Sequence, residues 1–357
     1  MIRIDNASEI LRAVHVNGPM TRTALANLTG LNRSTVGTHL HELSAAGLIT
    51  QSDGLAGQVG RPSQIAAPRA EGAVVWACDV RVDYMTCAIV GLGGEVLHRE
   101  THAHASHRSD PRNTCQRIVD RLHAVLTETG ITPEQFKAVG VSLPGLVDRH
   151  DGVLRYAPNL GWFDVPFAAM LQDDLRGVGL GAVPIAVRND ADAGALAERT
   201  RGAARGVTSA VYLSGGVGIG AGIVLGGRRI LDAGGFSGEI GHMIVNPQGR
   251  VCDCGARGCW ETEISERRLT SPAARIEVLE WLDLGLRNVV NLLNPDVVVL
   301  GDHLREFVDA LRARQRGTDR LAAWEQVAIV PAALGGESTM IGVAEAAFDP
   351  FLSEPLR

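Results

Sequence analysis

Hydrophobic positions divide the chain into two regimes. In the first seventy residues they recur at helical spacing. Ile10, Leu11 and Val14 mark one face and Leu25 and Leu28 a second, while Val36, Leu40, Leu43 and Gly47 step at i, i+4, i+7 and i+11 along a third. Thr21 is placed to cap the second helix and Asn32 the third, with Gly30 breaking the chain between them. Three short amphipathic helices with a glycine turn before the last predict a helix-turn-helix. Leu48-Ile49-Thr50 and Ser63-Gln64-Ile65 flank a Gly-rich stretch and predict the hairpin of a wing.

From Ala73 the pattern becomes that of strands. Val74–Val80, Tyr84–Gly91 and 95–101 predict a meander of three, followed by a helix near 110–129 and a strand at 138–142 that ends in Pro144-Gly145. The alternation continues with a strand at 185–187, a helix at 190–203, strands at 209–214 and 219–225, a helix near 273–292 and the strand Val297–Leu300. Another strand and helix close the chain. This order predicts an α/β body of two lobes with a cleft between them. The expected division is a winged head at 1–70 and a ligand-binding body at 71–357. Lobe 1 would take about 71–189 plus the C-terminal helix, and lobe 2 about 190–335.

Composition changes this picture little. The 357 residues are 45% hydrophobic and 21% charged, ordinary for a soluble globular protein. No apolar run approaches the roughly 20 residues that span a bilayer, and Met1-Ile2-Arg3-Ile4-Asp5 lacks the apolar stretch of a secretory signal. Cytoplasmic placement is expected. Charge is more telling. Residues 1–70 carry six Arg against four acids, net +2, whereas the remainder is net −8. A basic head on an acidic body is compatible with DNA binding. On the third helix, Arg33, Ser34, Thr35, Thr38 and His39 lie opposite the apolar face, suited to phosphate and base-edge hydrogen bonds. A bundle used only for protein contacts is the alternative. Arg61, in Gly-Arg-Pro, would reach a phosphate or the minor groove, or serve as a linker residue.

The chemistry is densest between Glu239 and Glu261. His242, Cys252, Cys254 and Cys259 offer one imidazole and three thiolates within eighteen residues of turn-forming chain, a set that suits a closed tetrahedral zinc site. Four protein ligands leave no open position for water, so the expected metal is structural. It would hold Glu239, His242 and Glu261 on one loop. Cys78, Cys87 and Cys115 read as small buried hydrophobes. Two further stretches bear on a ligand. Ser214-Gly215-Gly216-Val217-Gly218-Ile219-Gly220-Ala221-Gly222 joins two strands and either cradles a phosphate or makes a tight hairpin. Asn189-Asp190 stands where a strand gives way to a helix, and the Asp190 carboxylate either caps that helix or faces a ligand crevice as a proton acceptor.

Taken together, these residues resemble the repressor–open reading frame–kinase (ROK) family of sugar kinases and sugar-responsive regulators, over nearly the whole chain. The most specific element is Gly-Glu-Ile-Gly-His followed by Cys-x-Cys-Gly-x-x-Gly-Cys-x-Glu. Val-Gly-Val-Ser-Leu-Pro-Gly at 139–145, Pro-Asn-Leu-Gly-Trp at 158–162, Asn-Asp-Ala-Asp-Ala at 189–193 and Asn-Pro-Asp-Val-Val-Val-Leu-Gly at 294–301 also match. The resemblance implies an actin/hexokinase-like fold behind the winged helix-turn-helix. It also implies a sugar held by Asn159, Asp190, Glu239, His242 and Glu261. His242 would give one ring nitrogen to zinc and the other to the sugar. In the kinases, the aspartate matching Asp190 is the general base.

Two departures direct the functional expectation. Where the kinases place Asp-Leu-Gly-Gly-Thr-Lys, this chain reads Asp79-Val80-Arg81-Val82-Asp83-Tyr84. Val82 lacks glycine's backbone freedom, and Asp83 would set a carboxylate against a polyphosphate, so use of Mg·ATP is not expected. The segment between Cys259 and the helix around Gly285 is also short for the family. The expectation is a cytoplasmic, bacterial transcriptional regulator, most simply a repressor, that forms a homodimer or homotetramer. It would bind double-stranded operator DNA under the control of a sugar or sugar phosphate. A hexose or amino-sugar kinase is the alternative.

Overall fold

The computed structural model describes residues 5–53, 64–103, 110–216, 218–230, 238–316 and 322–356. The head is built from α1 (Asn6–Asn17), β1 (Met20–Thr21), α2 (Arg22–Thr29), α3 (Arg33–Ala45), β2 (Ile49–Asp53) and β3 (Gln64–Pro68). The expected caps are in place. Thr21 Oγ1 accepts from the Ala24 amide at 3.1 Å, and Asn32 Oδ1 from the Thr35 amide at 2.8 Å. Gly30 takes the left-handed turn between α2 and α3 at φ +71°. β2 and β3 pair antiparallel from Ile49↔Pro68 to Asp53↔Gln64, the base of a wing, and β1 joins β3 to complete a three-stranded sheet. Arg61 and the rest of the stretch between β2 and β3 lie outside the described residues. One head residue departs from expectation: Leu28 is 58% exposed while Leu25 is buried, so α2 turns a single leucine inward.

Lobe 1 carries β4 (Val74–Val80), β5 (Tyr84–Gly91), β6 (Val96–Ala103), α4 (Pro111–Thr129) and β7 (Phe136–Leu143). A small meander follows, β8 (Leu146–Asp148), β9 (Val153–Ala157) and β10 (Trp162–Val165), then α5 (Phe167–Gly177) and β11 (Ile185–Asn189). α6 (Asp190–Thr200) leads to lobe 2, formed by β12 (Ala210–Gly215), β13 (Ile219–Leu225), β14 (Arg228–Arg229), α7 (Trp260–Ile264), α8 (Pro272–Leu293) and β15 (Val297–Leu300). α9 (Val308–Gln315), α10 (Ala322–Gln326) and β16 (Ala328–Pro331) complete that lobe, and α11 (Ser338–Ser353) returns to lobe 1.

The main sheets of the two lobes repeat one plan. Lobe 1 runs β11-β7-β4-β5-β6 and lobe 2 runs β16-β15-β12-β13-β14. In each, the first three strands in chain order form an antiparallel meander and the last two add in parallel. This is the doubled arrangement of an actin/hexokinase-like fold, and it places the cleft at the ends of both sheets.

α6 lies between the lobes and packs along α11. Its alanines and Gly194 keep it slim, and Gly342 of α11 sits so near the Ala193 carbonyl that a Cβ there would collide with it. The head is not a loose appendage. One continuous apolar cluster contains Ile10, Leu11, Val14 and Leu40 of the head together with Val75, Met340, Phe348 and Leu352 of the body.

Candidate ligand and metal site

A cleft of about 640 Å³ opens between the lobes, bordered by Asn159, Asp190, Glu239, His242 and Glu261 among others. The five residues matched by motif therefore come together, although they span a hundred positions of sequence. β11 delivers Asn189 and Asp190 to the rim. Asn189, not Asp190, is the cap of α6: its Oδ1 accepts from the Asp192 amide at 3.0 Å, and its Nδ2 donates to the Gly145 carbonyl at 2.9 Å. That leaves the Asp190 carboxylate facing the cleft, with its own hydrogen bond to the Ala191 amide at 2.8 Å. Burial pushes the Asp190 carboxyl up to about 6 against the pull of Arg81. Burial, then the nearby charges of Asp190 and Glu261, push Glu239 up to about 7.

The segment from Gly238 to Glu261 contributes Glu239, His242, Cys252, Cys254 and Glu261 to the cleft lining. Ile240–His242 form one 3-10 turn, and the chain returns through isolated bridges Ile244↔Cys259 and Val251↔Arg257 to start α7 at Trp260. His242, Cys252, Cys254 and Cys259 bring four ligand atoms within 4.8 Å of one another. Cys254 Sγ to Cys259 Sγ and Cys252 Sγ to His242 Nδ1 are each 3.6 Å. Bonds of about 2.0–2.3 Å around a tetrahedral zinc set ligands some 3.3–3.8 Å apart; the two 3.6 Å pairs match that spacing, and one imidazole with three thiols is donor chemistry that suits the ion. His242 Nδ1 faces the thiols, while Nε2 lies 3.6 Å from Glu239 Oε2 and looks into the cleft. Glu261 Oε1 stands 3.5 Å from His242 Nδ1 and accepts from the Cys252 thiol at 2.8 Å.

The Gly-rich turn serves the carboxylates. A Cβ at Gly218 would touch Glu261 Oε2 and approach Asn159 Nδ2, so the glycine gives those side chains room. At its other end the turn already holds an internal anion: Asp302 Oδ2 accepts from the Gly215 amide and from Ser214 Oγ, each at 2.9 Å.

Sequence reasoning missed Arg81. Its Nε donates to both oxygens of Asp79 (3.1 and 2.9 Å), its Nη2 donates to Thr339 Oγ1 (2.8 Å), and Nη1 lies 3.6 Å from Asp190 Oδ2. Burial disfavours the guanidinium's charge, yet Asp79, Asp190 and Asp302 overcome this and hold it firmly protonated. The residue was visible in the motif, but only as a departure from glycine. Its partners lie up to 258 positions away.

In the head, Arg33, Ser34 and Thr38 are exposed along α3, with Thr35 and His39 partly covered beside them. His39 is engaged with Glu42 at 2.8 Å. Arg22 was also missed; it lies over Gly37 and donates to the Arg33 carbonyl at 2.6 Å, adding a cation beside the start of α3.

A buried polar node joins head and body. Arg201, at the C-terminal end of α6, donates from Nε to Glu345 Oε1 of α11 (2.6 Å) and from Nη1 to the carbonyls of Gly93 (2.7 Å) and His15 (3.1 Å). His15, on α1, has Nε2 3.1 Å from Glu345 Oε2, and its Nδ1 accepts from the Gly93 amide at 3.0 Å. Arg201 Nη2 also lies 2.8 Å from His15 Nε2. Ser8 Oγ adds a bond to the Leu352 carbonyl at 2.6 Å, and Arg205 one to Asn17 at 2.7 Å.

Comparison with known proteins gives a consistent result. The ROK family profile matches residues 75–277, and a helix-turn-helix domain profile matches 5–52. The xylose repressor of Bacillus subtilis (strain 168) is 27% identical over 377 residues, covering 97% of this chain and 96% of that protein. The glucokinase of Streptomyces coelicolor is 26% identical over 314 residues, covering 73% of this chain and 97% of its own. Among solved structures, a ROK family transcriptional regulator described as a homolog of the E. coli MLC protein superposes with a TM-score of 0.77 at 24% identity, over 98% of both chains.

Proposed function

This chain belongs to the ROK family, in its transcriptional-regulator branch, and we propose that it is a DNA-binding repressor whose operator affinity is set by a sugar in the interlobe cleft. The observation that carries this reading is α6 itself. The helix begins at Asp190, on the rim of the cleft, and its C-terminal end holds Arg201, which grips α1 of the head. At 1.5 Å per residue it is a rod of about 16 Å with the ligand at one end and the head at the other. Tight packing against α11 favours movement as a unit.

Asn159, Asp190, Glu239, His242 and Glu261 would take sugar hydroxyls, each hydrogen bond contributing about 0.5–1.5 kcal/mol and more where a carboxylate accepts. Reversing occupancy from 1:99 to 99:1 needs about 5.5 kcal/mol of preference for one state, within reach of several such bonds formed in only one lobe arrangement. His242, Cys252, Cys254 and Cys259 would hold a structural zinc, which when bound keeps Glu239 and Glu261 at fixed positions. On the DNA side, Arg33, Ser34, Thr35, Thr38, His39 and Arg61 are the proposed contacts, with two heads of a symmetric oligomer meeting two half-sites. The xylose repressors among its relatives make an aldopentose the first sugar to try.

Phosphoryl transfer is disfavoured by the cleft's charge. Among the described residues of its lining, carboxylates outnumber guanidiniums seven to four, and Asp302 already occupies the amide of the Gly-rich turn that a phosphate would use. The test is genomic immunoprecipitation of the full chain with and without D-xylose and other aldoses, paired with a coupled assay for ATP turnover. Discrete operators released by one sugar support the repressor. Sugar-dependent turnover at ordinary enzyme rates, without operators, supports the kinase alternative.

A further inference from the structure

Arg81 is held on three sides and open on the fourth. Nε is tied to Asp79, which Ser142 Oγ pins at 2.7 Å, and Nη2 is tied to Thr339 on α11. The turn beneath it is closed by a bond from the Arg81 amide to the Tyr84 carbonyl at 2.8 Å. Only Nη1 is turned toward Asp190. The 3.6 Å between Nη1 and Oδ2 is too long for a good hydrogen bond, and both residues border the cleft. A donor and an acceptor are thus presented side by side, each with capacity to spare.

A hydroxyl is the group that satisfies both, since it accepts from a guanidinium and donates to a carboxylate at once. A phosphate ester does not. It brings close to two negative charges and no reliable donor to a place where Asp79, Asp190 and Asp302 already surround one guanidinium. The same pair that welcomes a neutral hydroxyl therefore repels a phosphorylated one.

We propose that Arg81 and Asp190 together grip one hydroxyl of a neutral sugar, making Arg81 the residue by which the pocket selects free sugar over sugar phosphate. This rests on the regulator reading and narrows its effector from sugars in general to the unphosphorylated class.

The experiment is calorimetric titration of the full chain with D-xylose, D-glucose, their phosphate esters and a set of monodeoxy sugars, repeated on Arg81→Met. Should that variant fail to fold because Asp79 is left buried and charged, Asp79→Asn/Arg81→Met removes the stranded charge. Wild type should bind a free sugar and take its phosphate ester at least about 100-fold more weakly. The variant should lose roughly 10- to 100-fold for the free sugar, the span of one charge-assisted hydrogen bond. The deoxy sugar that lacks the gripped hydroxyl should bind wild type and variant alike, a signature that general loosening of the pocket does not give. Equal affinity of wild type and variant for the free sugar, or tighter binding of the ester by wild type, overturns the assignment of Arg81 and leaves the regulator intact. Absence of binding by any sugar to wild type removes the regulator reading and this one with it.

Discussion

Replacing Arg201 by methionine severs the node between α6, α11 and the head while filling much of the same volume. The wild-type guanidinium is 13% exposed and meets Glu345, 6% exposed, at 2.6 Å. Without it, His15 is the polar side-chain partner left to Glu345 among the described residues, and a buried carboxylate stripped of its cation costs about 3–5 kcal/mol. The Gly93 and His15 carbonyls also lose their donor, each at about 1 kcal/mol, though such losses are not additive. Urea unfolding should therefore show a drop of about 3–5 kcal/mol for Arg201→Met. The double variant Arg201→Met/Glu345→Leu, which removes both charges, should regain at least half of it. Function gives the second readout. Arg201 lies at the far end of α6 from Asp190, so sugar affinity should stay within about threefold of wild type, as should operator affinity without sugar. The release of operator by sugar should shrink to near nothing, because the rod no longer holds α1. Fluorescence anisotropy of a labelled operator, with and without saturating sugar, reads this directly. Undiminished release by a folded Arg201→Met protein refutes α6 as the link, and a double variant no more stable than the single one refutes the electrostatic account.

Four further outcomes are expected. Cys254→Ser, or dialysis against a strong chelator, should abolish bound zinc by elemental analysis and with it sugar binding, since structural zinc contributes on the order of 10 kcal/mol to such loops. Asp190→Asn should abolish sugar response yet stabilise the fold near neutral pH. The wild-type carboxyl is raised from its ordinary value to about 6, so folding stability falls as pH rises from about 4 to 6, a loss of roughly 3 kcal/mol that persists above 6. The asparagine variant should lose that part of the slope in thermal melts, keeping the part due to Glu239, whose carboxyl is raised to about 7. For the same reason sugar affinity, which needs the ionised carboxylate, should fall about tenfold between pH 7 and pH 5 in calorimetry. Arg33→Ala should weaken operator binding by about 1–3 kcal/mol and leave sugar affinity unchanged.

The long, strongly patterned elements were legible in the sequence. β4, β5, α4, α8 and β15 fall within two residues of their expected bounds because their apolar periods are unbroken. The meander β8–β10 and α5 were not read, since strands of three to five residues and a helix without a side-chain cap bond give little local signal. The helix expected at 190–203 stops at Thr200, where Glu198 Oε2 turns back to the Ala203 amide at 2.8 Å. At the site, motif and spacing singled out Asp190, Glu239 and Glu261, which border one cleft, and His242, Cys252, Cys254 and Cys259, which form one cluster. Arg81 against Asp190, and His15 against Glu345 across 330 positions, are products of the tertiary fold, and no window of sequence contains both partners. The repeated sheet plan is equally hidden, because strand order leaves no imprint on local periodicity.

The shared apolar interior of α1 and α11 has an evolutionary consequence. A reading head with its own private core can be traded between regulators by recombination at the linker. Here such a graft would uncover Phe348 and Leu352 and leave Glu345 with Arg201 but without His15. For the proposed repressor, a change of target preference is therefore expected from point changes on the outer side of α3, not from exchange of the whole head.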